Sequence, residues 1–213
     1  MLANAKARSE ARQRMTGDER RQTIVRTAFD LFAQNGFRGT TTRELAQAVG
    51  VSEPVLYQHF SNKKELYTAI VQHLIEEGIG RYGDQLEAVL AETDRRRFFE
   101  QLGLLILAWY MDDPRLIRLL TFSALEGHEL AEIWHQQAFT TFFAPVIERV
   151  GRMSAAGQLI DMEPDVLARS FIGMVGHYGM MTEVFHYGAF DLNRQEVVAR
   201  FVQVFLDGAG RRS

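Results

Sequence analysis

The fold is decided by residues 40–66, TTTRELAQAVGVSEPVLYQHFSNKKEL. Within it, Thr41-Thr42-Arg43-Glu44 forms a capping-box pattern, which predicts the start of a short helix that ends at Gly50. Ser52 is expected to begin a second helix, whose first turn tolerates Pro54 because the first N–H groups of a helix have no partner inside it. Two short helices joined by a tight glycine turn are typical of a helix-turn-helix, whose second helix lies in the DNA major groove.

The charges of the chain are distributed unevenly around this segment. The formal net charge of all 213 residues is −3, which by itself argues against a strongly anionic partner. Residues 1–64, however, carry 11 Lys and Arg against six Asp and Glu, whereas residues 65–213 carry 13 against 21. The N-terminal part is therefore basic enough to face phosphate, and the remainder is acidic.

Other features of the composition exclude several classes of protein. With no cysteine, the chain forms no disulfide, zinc finger or iron–sulfur site, and a reducing compartment, the cytoplasm, is expected. The first 22 residues are charged and lack the apolar core of a secretory signal. The longest apolar stretch, Leu102 to Met111, is about half the length needed to span a bilayer, so no membrane insertion is expected.

The spacing of apolar residues predicts an all-α fold. These residues recur at three and four positions along nearly the whole chain, and only four prolines are present. We expect a flexible basic arm over residues 1–17, a three-helix helix-turn-helix domain over 18–64 and a larger helical domain over 65–213. Asp18 is expected to cap the first helix, and Asn62 with Glu65 the fourth.

The larger domain is expected to contain longer helices. The fourth helix runs through Ile75, and residues 84–92 either extend it or form a separate short helix. Further helices are predicted over residues 95–111, 114–126 and 129–156, from Pro164 to about residue 187, and from an Asn193 cap to about residue 207.

Five features in and around the opening segment resemble one known family. They are Gly36-Phe37, Thr40-Thr41, Gly50-Val51-Ser52, Leu56-Tyr57-Gln58-His59-Phe60 and Lys63. In this order they resemble the signature of the tetracycline-repressor (TetR) family of bacterial transcription regulators, over about residues 20–75. The resemblance implies a regulator that is not an enzyme and needs no cofactor. It also implies a repressor that binds a palindromic operator as a homodimer and responds to a small-molecule inducer.

The polar residues of the motif each have a functional and a structural interpretation. Thr41 and Ser52 stand at helix N-termini, where their hydroxyls can contact phosphate or simply cap the helix. Tyr57 and His59 can contact DNA or be buried with hydrogen-bond partners inside the protein. Lys63 lies at the positive end of a helix dipole, which favours an external anion beside it.

Base readout is expected from the start of the second helix. A Gln side chain can pair with adenine, a Glu can accept a hydrogen bond from cytosine, and Pro or Val can contact a thymine methyl. Glu53 can instead repel phosphate, or merely favour the helix N-terminus. Together, the candidates for contact with double-stranded operator DNA are Thr40, Thr41, Arg43, Ser52, Glu53, Pro54, Val55, Tyr57, Gln58, His59, Lys63 and Lys64.

The last two helices carry more apolar residues than one intramolecular face requires. The TetR resemblance implies that they pair with the same helices of a second chain, and ordinary core packing is the alternative. Gly173, Gly176 and Gly179 recur every three residues there, which suits close helix approach or ligand access. The apolar residues are Val166, Leu167, Phe171, Met174, Val175, Val197, Val198, Phe201, Val202 and Phe205.

An aromatic and Met-rich set lies between the DNA-binding motif and these last helices. Such residues line apolar ligand pockets, but more often they simply form a core. The resemblance implies that some of them line an inducer site for a largely apolar small molecule. The ligand-binding candidates are Phe99, Trp109, Phe122, Trp134, His135, Phe139, His177, Tyr178, Met181 and Glu183.

One alternative function is a helical di-metal carboxylate enzyme. Glu132-x-x-His135 and Glu183-x-x-His186 have the Glu-x-x-His spacing of such sites. The site also needs a lone carboxylate from each of two further helices, and Glu100 and Glu163 lie near predicted helix ends. The alternative gives no account of the segment from Thr40 to Lys63.

Overall fold

The computed structural model describes residues 16–127, 130–188 and 190–209. The predicted basic arm lies outside these residues except for Thr16 and Gly17. The described residues form ten α-helices, and a π-helical turn, Phe139–Phe143, joins the seventh to the eighth. The helices are α1 Gly17–Asn35, α2 Thr42–Val49, α3 Glu53–His59, α4 Lys63–Ala91, α5 Arg95–Met111, α6 Pro114–Leu125, α7 Leu130–Ala138, α8 Ala144–Ala155, α9 Pro164–Glu183 and α10 Arg194–Ala209.

The chain separates into two compact units, one up to Ile70 and one from Val71 onward. In the first unit, helix α1 begins at a capping box in which Thr16 accepts from the Glu19 backbone N–H and Glu19 accepts from the Thr16 N–H. The cap predicted at Asp18 is therefore wrong, because a complete Thr-x-x-Glu box lies two residues earlier. Asp18 lies in the first turn, where its charge favours the helix dipole.

The core of the first unit is built from one face of each helix. Ile24 and Phe32 of α1, Leu45 of α2 and Leu56 of α3 are each at most 3% exposed. Tyr67, in the first turns of α4, is fully buried, and its ring meets Phe32 edge-on at 4.9 Å between centroids. This small core holds the two helices of the helix-turn-helix against α1 and the start of α4.

In the second unit, α5 packs against both α9 and α10. Phe99 of α5, Phe171 of α9 and Phe205 of α10 form an aromatic triad with centroid separations of 4.8 to 5.3 Å. Gly103 allows this close approach, because a Cβ there would lie 2.7 Å from Cγ1 of Val198.

The glycines of α9 provide a second close approach between helices. A Cβ at Gly176 would lie 3.2 Å from the Tyr110 Oη, and one at Gly179 would lie 2.8 Å from the Tyr110 Cγ. A Cβ at Gly173, in contrast, would meet no atom within 4 Å among the described residues. Two of the three regularly spaced glycines therefore serve helix packing within the chain.

Three helices differ in extent from the sequence prediction. Helix α4 continues unbroken to Ala91, so residues 84–91 extend the fourth helix. The helix expected over 129–156 is divided by the π-helical turn, where the Ala144 N–H donates to the Phe139 carbonyl. Pro145 follows directly and has no N–H to continue the ordinary ladder, which gives a local reason for the wider turn.

Helix α9 ends at Glu183, four residues before the predicted limit. His186 takes a left-handed conformation with φ of 53°, and the Tyr187 N–H returns to the Met181 carbonyl. This reversal ends the helix without a glycine. Among the described residues, no helix is long and apolar enough to cross a membrane.

Candidate functional site

The turn between α2 and α3 has the geometry that the sequence predicts. Gly50 is left-handed, with φ 77° and ψ 32°, and its N–H donates to the carbonyls of Ala46 and Gln47. The Val51 N–H donates to the Ala46 carbonyl at 2.9 Å. These bonds close the end of α2 in one residue, so that α3 can begin directly after Ser52.

The first turns of α2 and α3 are joined by side-chain hydrogen bonds. Thr41 and Glu44 form the predicted capping box, and the Thr41 hydroxyl also donates to Glu44 Oε2 at 2.8 Å. The Thr42 hydroxyl donates to Glu53 Oε2 at 3.0 Å, which ties the start of α2 to the start of α3. Glu53 therefore has a structural partner, and sequence reasoning missed Thr42, whose bond crosses 11 residues.

The remaining polar residues of the motif lie at the surface. Ser52 is exposed and its side chain makes no capping hydrogen bond, unlike Thr41. Along α3, Pro54 and Gln58 are exposed and Tyr57 is 45% exposed. The other exposed candidates are Arg43 and Lys64, and Val55 and His59 are partly exposed.

Two predicted DNA contacts are engaged inside the protein. Thr40 is 1% exposed, and its hydroxyl donates to the Gly36 carbonyl at 2.8 Å. The side-chain contact predicted for Thr40 does not fit this burial. Lys63 Nζ donates to the Thr40 carbonyl at 2.6 Å and lies 4.1 Å from the centroid of the Phe37 ring. The charge at the start of α4 thus has partners within the protein.

Two carboxylates at helix starts have lowered pKa values. Hydrogen bonds from the Thr41 N–H and hydroxyl lower the pKa of Glu44, with a further contribution from the charge of Lys63. Hydrogen bonds from the Ser61 hydroxyl and N–H likewise lower the pKa of Glu65. Asn62 Oδ1 accepts from the Glu65 N–H at 2.8 Å, as the cap predicted for the fourth helix requires. Both carboxylates are therefore held in the charged state in which they cap the helices.

The second unit contains a cavity of about 110 Å³. Five aromatic side chains line it, and α5, α7 and the π-helical turn provide them. They are Trp109, Tyr110, Trp134, Phe142 and Phe143. Aliphatic side chains from α5, α6 and α9 complete most of the wall, and these are Ile106, Leu116, Ile117, Leu120 and Ile172.

The structure brings only part of the predicted ligand site together. Trp109 and Trp134 line the cavity, with ring centroids 6.3 Å apart. Phe99 lies in the core triad at 0% exposure, and the Tyr178 ring stacks on Phe190 at 5.0 Å. Other candidates lie outside the cavity lining, and these are Phe122, His135, Phe139, His177, Met181 and Glu183. Tyr110, Phe142 and Phe143 belong to the same aromatic set in the sequence, but long-range packing decides which members meet.

The predicted pairing helices bury most of their apolar residues inside the chain. Seven of the ten residues in question are at most 6% exposed, so ordinary core packing accounts for these seven. They are Leu167, Phe171, Val175, Val197, Val198, Val202 and Phe205. Val166 on α9 and Val204 on α10 remain 45% and 64% exposed.

The two Glu-x-x-His pairs lack the arrangement of a di-metal site. His186 lies three residues beyond the end of α9, so this pair does not share a helical face. Glu132 and His135 on α7 are both exposed. Nowhere in the described residues do three His, Asp or Glu side chains meet in a way that could hold a metal ion.

Residues 24–70, which contain most of α1, all of α2 and α3 and the start of α4, match the family model "Bacterial regulatory proteins, tetR family". This segment of the chain is a TetR-family DNA-binding domain. The TetR-family match coincides with the capped turn and the exposed surface of α3 described above. The match supports a DNA-binding transcription regulator rather than an enzyme.

Two curated relatives show how far the similarity extends. The HTH-type transcriptional activator FasR of Mycolicibacterium smegmatis is 37% identical over 84 residues, which cover 39% of this chain and 37% of FasR. The nucleoid occlusion factor SlmA of Aliivibrio fischeri is 27% identical over 166 residues, or 73% of this chain and 80% of SlmA.

A solved structure shares the fold over nearly the whole chain. It is a transcriptional regulator from Saccharomonospora viridis in complex with choline, with a TM-score of 0.71 and 16% sequence identity. The match covers 92% of this chain and 100% of the other. It supports an all-α fold in which a helix-turn-helix domain precedes a larger helical domain.

Proposed function

We propose that this TetR-family regulator is a ligand-responsive repressor in the cytoplasm that binds a palindromic operator as a homodimer. The observation that carries the proposal is the α2–α3 pair, in which internal bonds occupy Thr41, Thr42 and Glu53 and leave the outer surface of α3 exposed. We assign DNA binding to residues 18–64, and ligand sensing and dimerisation to residues 65–213.

In this proposal the exposed residues have separate tasks on DNA. The Ser52 hydroxyl and the Tyr57 side chain contact phosphates, since both are exposed at the helix-turn-helix surface. Arg43 and Lys64 add positive charge near the duplex. Gln58 reads base edges in the major groove, and Pro54 offers only apolar contact.

Dimerisation follows from the size of the DNA-binding surface. A recognition helix of seven residues reads only a few base pairs, so two copies are needed to specify a site. We assign the pairing surface to α9 and α10 because Val166 and Val204 stay exposed there and Gly173 leaves room for close approach. A two-fold pair of this kind requires a palindromic operator.

Ligand response is assigned to the aromatic cavity of the second unit. The S. viridis regulator of the same fold was solved with choline, which supports small-molecule binding by proteins of this architecture. A ligand that binds more tightly to a conformer in which the two recognition helices have the wrong spacing shifts the protein toward that conformer. The free energy of DNA binding is then weakened by at most the difference between the ligand's binding free energies for the two conformers.

Selection of bound sequences from a random duplex pool tests the proposal with the full chain. A palindromic enriched site is expected, together with a dimer in light scattering. Tyr57→Ala should weaken binding to cognate and random duplexes alike, whereas Gln58→Ala should change the base preference. Gln85→Ala, at an exposed position of the second unit, is the matched control. If nothing is enriched, or if both variants behave like the control, the proposal is refuted.

A reporter gene placed behind the enriched site separates repression from activation. Repression predicts higher expression when the regulator is deleted. Lower expression on deletion would overturn the repressor role while leaving operator binding intact.

A further inference from the structure

We propose that the cavity of the second unit binds a small, uncharged, mainly apolar molecule whose oxygen accepts a hydrogen bond from Tyr110. The inference rests on the proposed ligand response and adds the chemical class of the ligand. The cavity volume of about 110 Å³ sets the scale, because an apolar protein cavity of about 150 Å³ holds a benzene molecule. This cavity is smaller, so one six-membered ring with at most a one-atom substituent is the upper size limit.

The described lining offers a charged ligand no partner of opposite charge. The described residues that line the cavity include no Asp, Glu, Lys, Arg or His. A buried carboxylate or ammonium group would lose its water without gaining a partner of opposite charge. Attraction to the faces of Trp109 or Trp134 does not replace the hydration shell of a compact primary ammonium group, which is strongly hydrated. A neutral ligand is favoured for this reason.

Tyr110 supplies the polar anchor. Its hydroxyl makes no hydrogen bond with any residue that the structure describes, and Ser154 Oγ is the only described side-chain atom that is both fully buried and unpartnered. Because Tyr110 lines the cavity, we assign this hydroxyl to a ligand bound there. Burial raises the pKa of Tyr110, so the hydroxyl stays protonated at neutral pH and can donate. A ligand hydroxyl or carbonyl oxygen would accept this bond.

The position of Tyr110 also connects the cavity to helix α9. The ring rests directly on Gly176 and Gly179, and Ile172 of the same helix lines the cavity. A ligand that shifts the Tyr110 ring must therefore shift α9 or be resisted by it. Since α9 belongs to the proposed pairing surface, occupation of the cavity is linked to the geometry of the dimer.

Four matched probes test the ligand class with the full-length protein. Phenol, toluene, benzoate and benzylammonium each carry one ring and one substituent, and calorimetry measures their affinities. Phenol is expected to bind most tightly, toluene more weakly, and both ions at least tenfold more weakly than phenol. The only two tryptophans of the chain, Trp109 and Trp134, both line the cavity, so a change in tryptophan emission with phenol locates the binding.

Variants assign the polar anchor. Tyr110→Phe should weaken phenol binding by about threefold to tenfold and leave toluene binding unchanged, as loss of one neutral hydrogen bond predicts. Tyr187→Phe, at a side chain that is 71% exposed, is the matched control and should change neither affinity. Ala138→Leu adds bulk to the cavity wall and should abolish binding of both neutral probes, with circular dichroism confirming that the variant is folded.

Three results would overturn the inference. They are benzoate or benzylammonium binding as tightly as phenol, equal affinities for phenol in the Tyr110→Phe and Tyr187→Phe variants, and no binding of either neutral probe. If operator selection succeeds while the neutral probes fail to bind, only the ligand inference falls. If operator selection itself fails, the proposed function falls, whatever the probes show.

Discussion

The glycines of α9 allow a sharp test of helix packing in the second unit. Replacing Gly179 by Ala favours the helix by about 1 kcal/mol, but overpacking a close contact costs about 1–3 kcal/mol. Here the new Cβ would lie 2.8 Å from Cγ and 2.9 Å from Cβ of Tyr110, atoms at the stiff base of that side chain. We therefore expect Gly179→Ala to destabilise the unit by about 1 kcal/mol.

Gly173→Ala on the same helix is the matched substitution with the opposite expectation. Its Cβ would meet nothing within 4 Å in the described part of the chain, so within one protomer only the helix preference acts, and the unit should gain about 1 kcal/mol when unfolding is measured at a concentration where the protein is monomeric. Gly83→Ala on α4 has equally open surroundings and serves as a second control away from the proposed pairing surface.

Urea unfolding followed by tryptophan emission measures these differences. Trp109 and Trp134 both belong to the second unit, so the signal reports the unit that contains α9. The expected gap between Gly179→Ala and Gly173→Ala is about 2 kcal/mol, which exceeds the usual error of such measurements. Equal stability of the two variants would refute the packing of Tyr110 on α9, and with it the path from the cavity to that helix.

The helix-turn-helix gives three further predictions. Thr41→Ala should lower the free energy of unfolding by about 1 kcal/mol because it removes a capping hydrogen bond. Ser52→Ala removes no capping hydrogen bond, so it should leave urea unfolding nearly unchanged and weaken DNA binding in a titration. Gly50→Ala should destabilise the first unit by about 1 kcal/mol, measured by hydrogen exchange, because a side chain is strained at φ 77°. Lowered pKa values mean that Glu44 and Glu65 stabilise the folded unit above their ordinary pKa near 4.5, and this stability should fall as pH drops through the lowered values. Hydrogen exchange of the α2 amides measures this effect: as pH falls through this range, protection from exchange should decrease less in Glu44→Gln than in the unmodified protein.

Features that depend on neighbours in sequence were predictable. The Thr41–Glu44 box, the Asn62–Glu65 cap and the bounds of α5 follow from residues within one or two turns of each other. The first cap was misplaced at Asp18 because Thr16 and Glu19 form a stronger reciprocal box nearby. The end of α9 was missed because a histidine, not a glycine, takes the left-handed position there.

Features that depend on long-range packing were not predictable in the same way. Phe99 and Phe142 look alike in the sequence, yet one fills the core triad and the other lines the cavity. The spacing of apolar residues indicates which face of a helix is buried, but it does not say whether the buried face meets a neighbour or a void. The Thr42–Glu53 bond likewise joins residues that are 11 positions apart in the sequence. They come within hydrogen-bond distance only because the turn at Gly50 brings the starts of α2 and α3 together.

The internal bonds of the helix-turn-helix separate stability from recognition. Helix α3 has only seven residues, which is too short to be stable alone, so it depends on the burial of Leu56 and on the bond between Thr42 and Glu53. Pro54 and Gln58 contribute to neither, because both are exposed. Substitutions at these two positions can therefore change which operator sequence the protein prefers without loss of the fold. Glu53→Ala, in contrast, removes a hydrogen bond that supports α3 and should weaken binding to every sequence. Operator selection with the variants measures this difference directly.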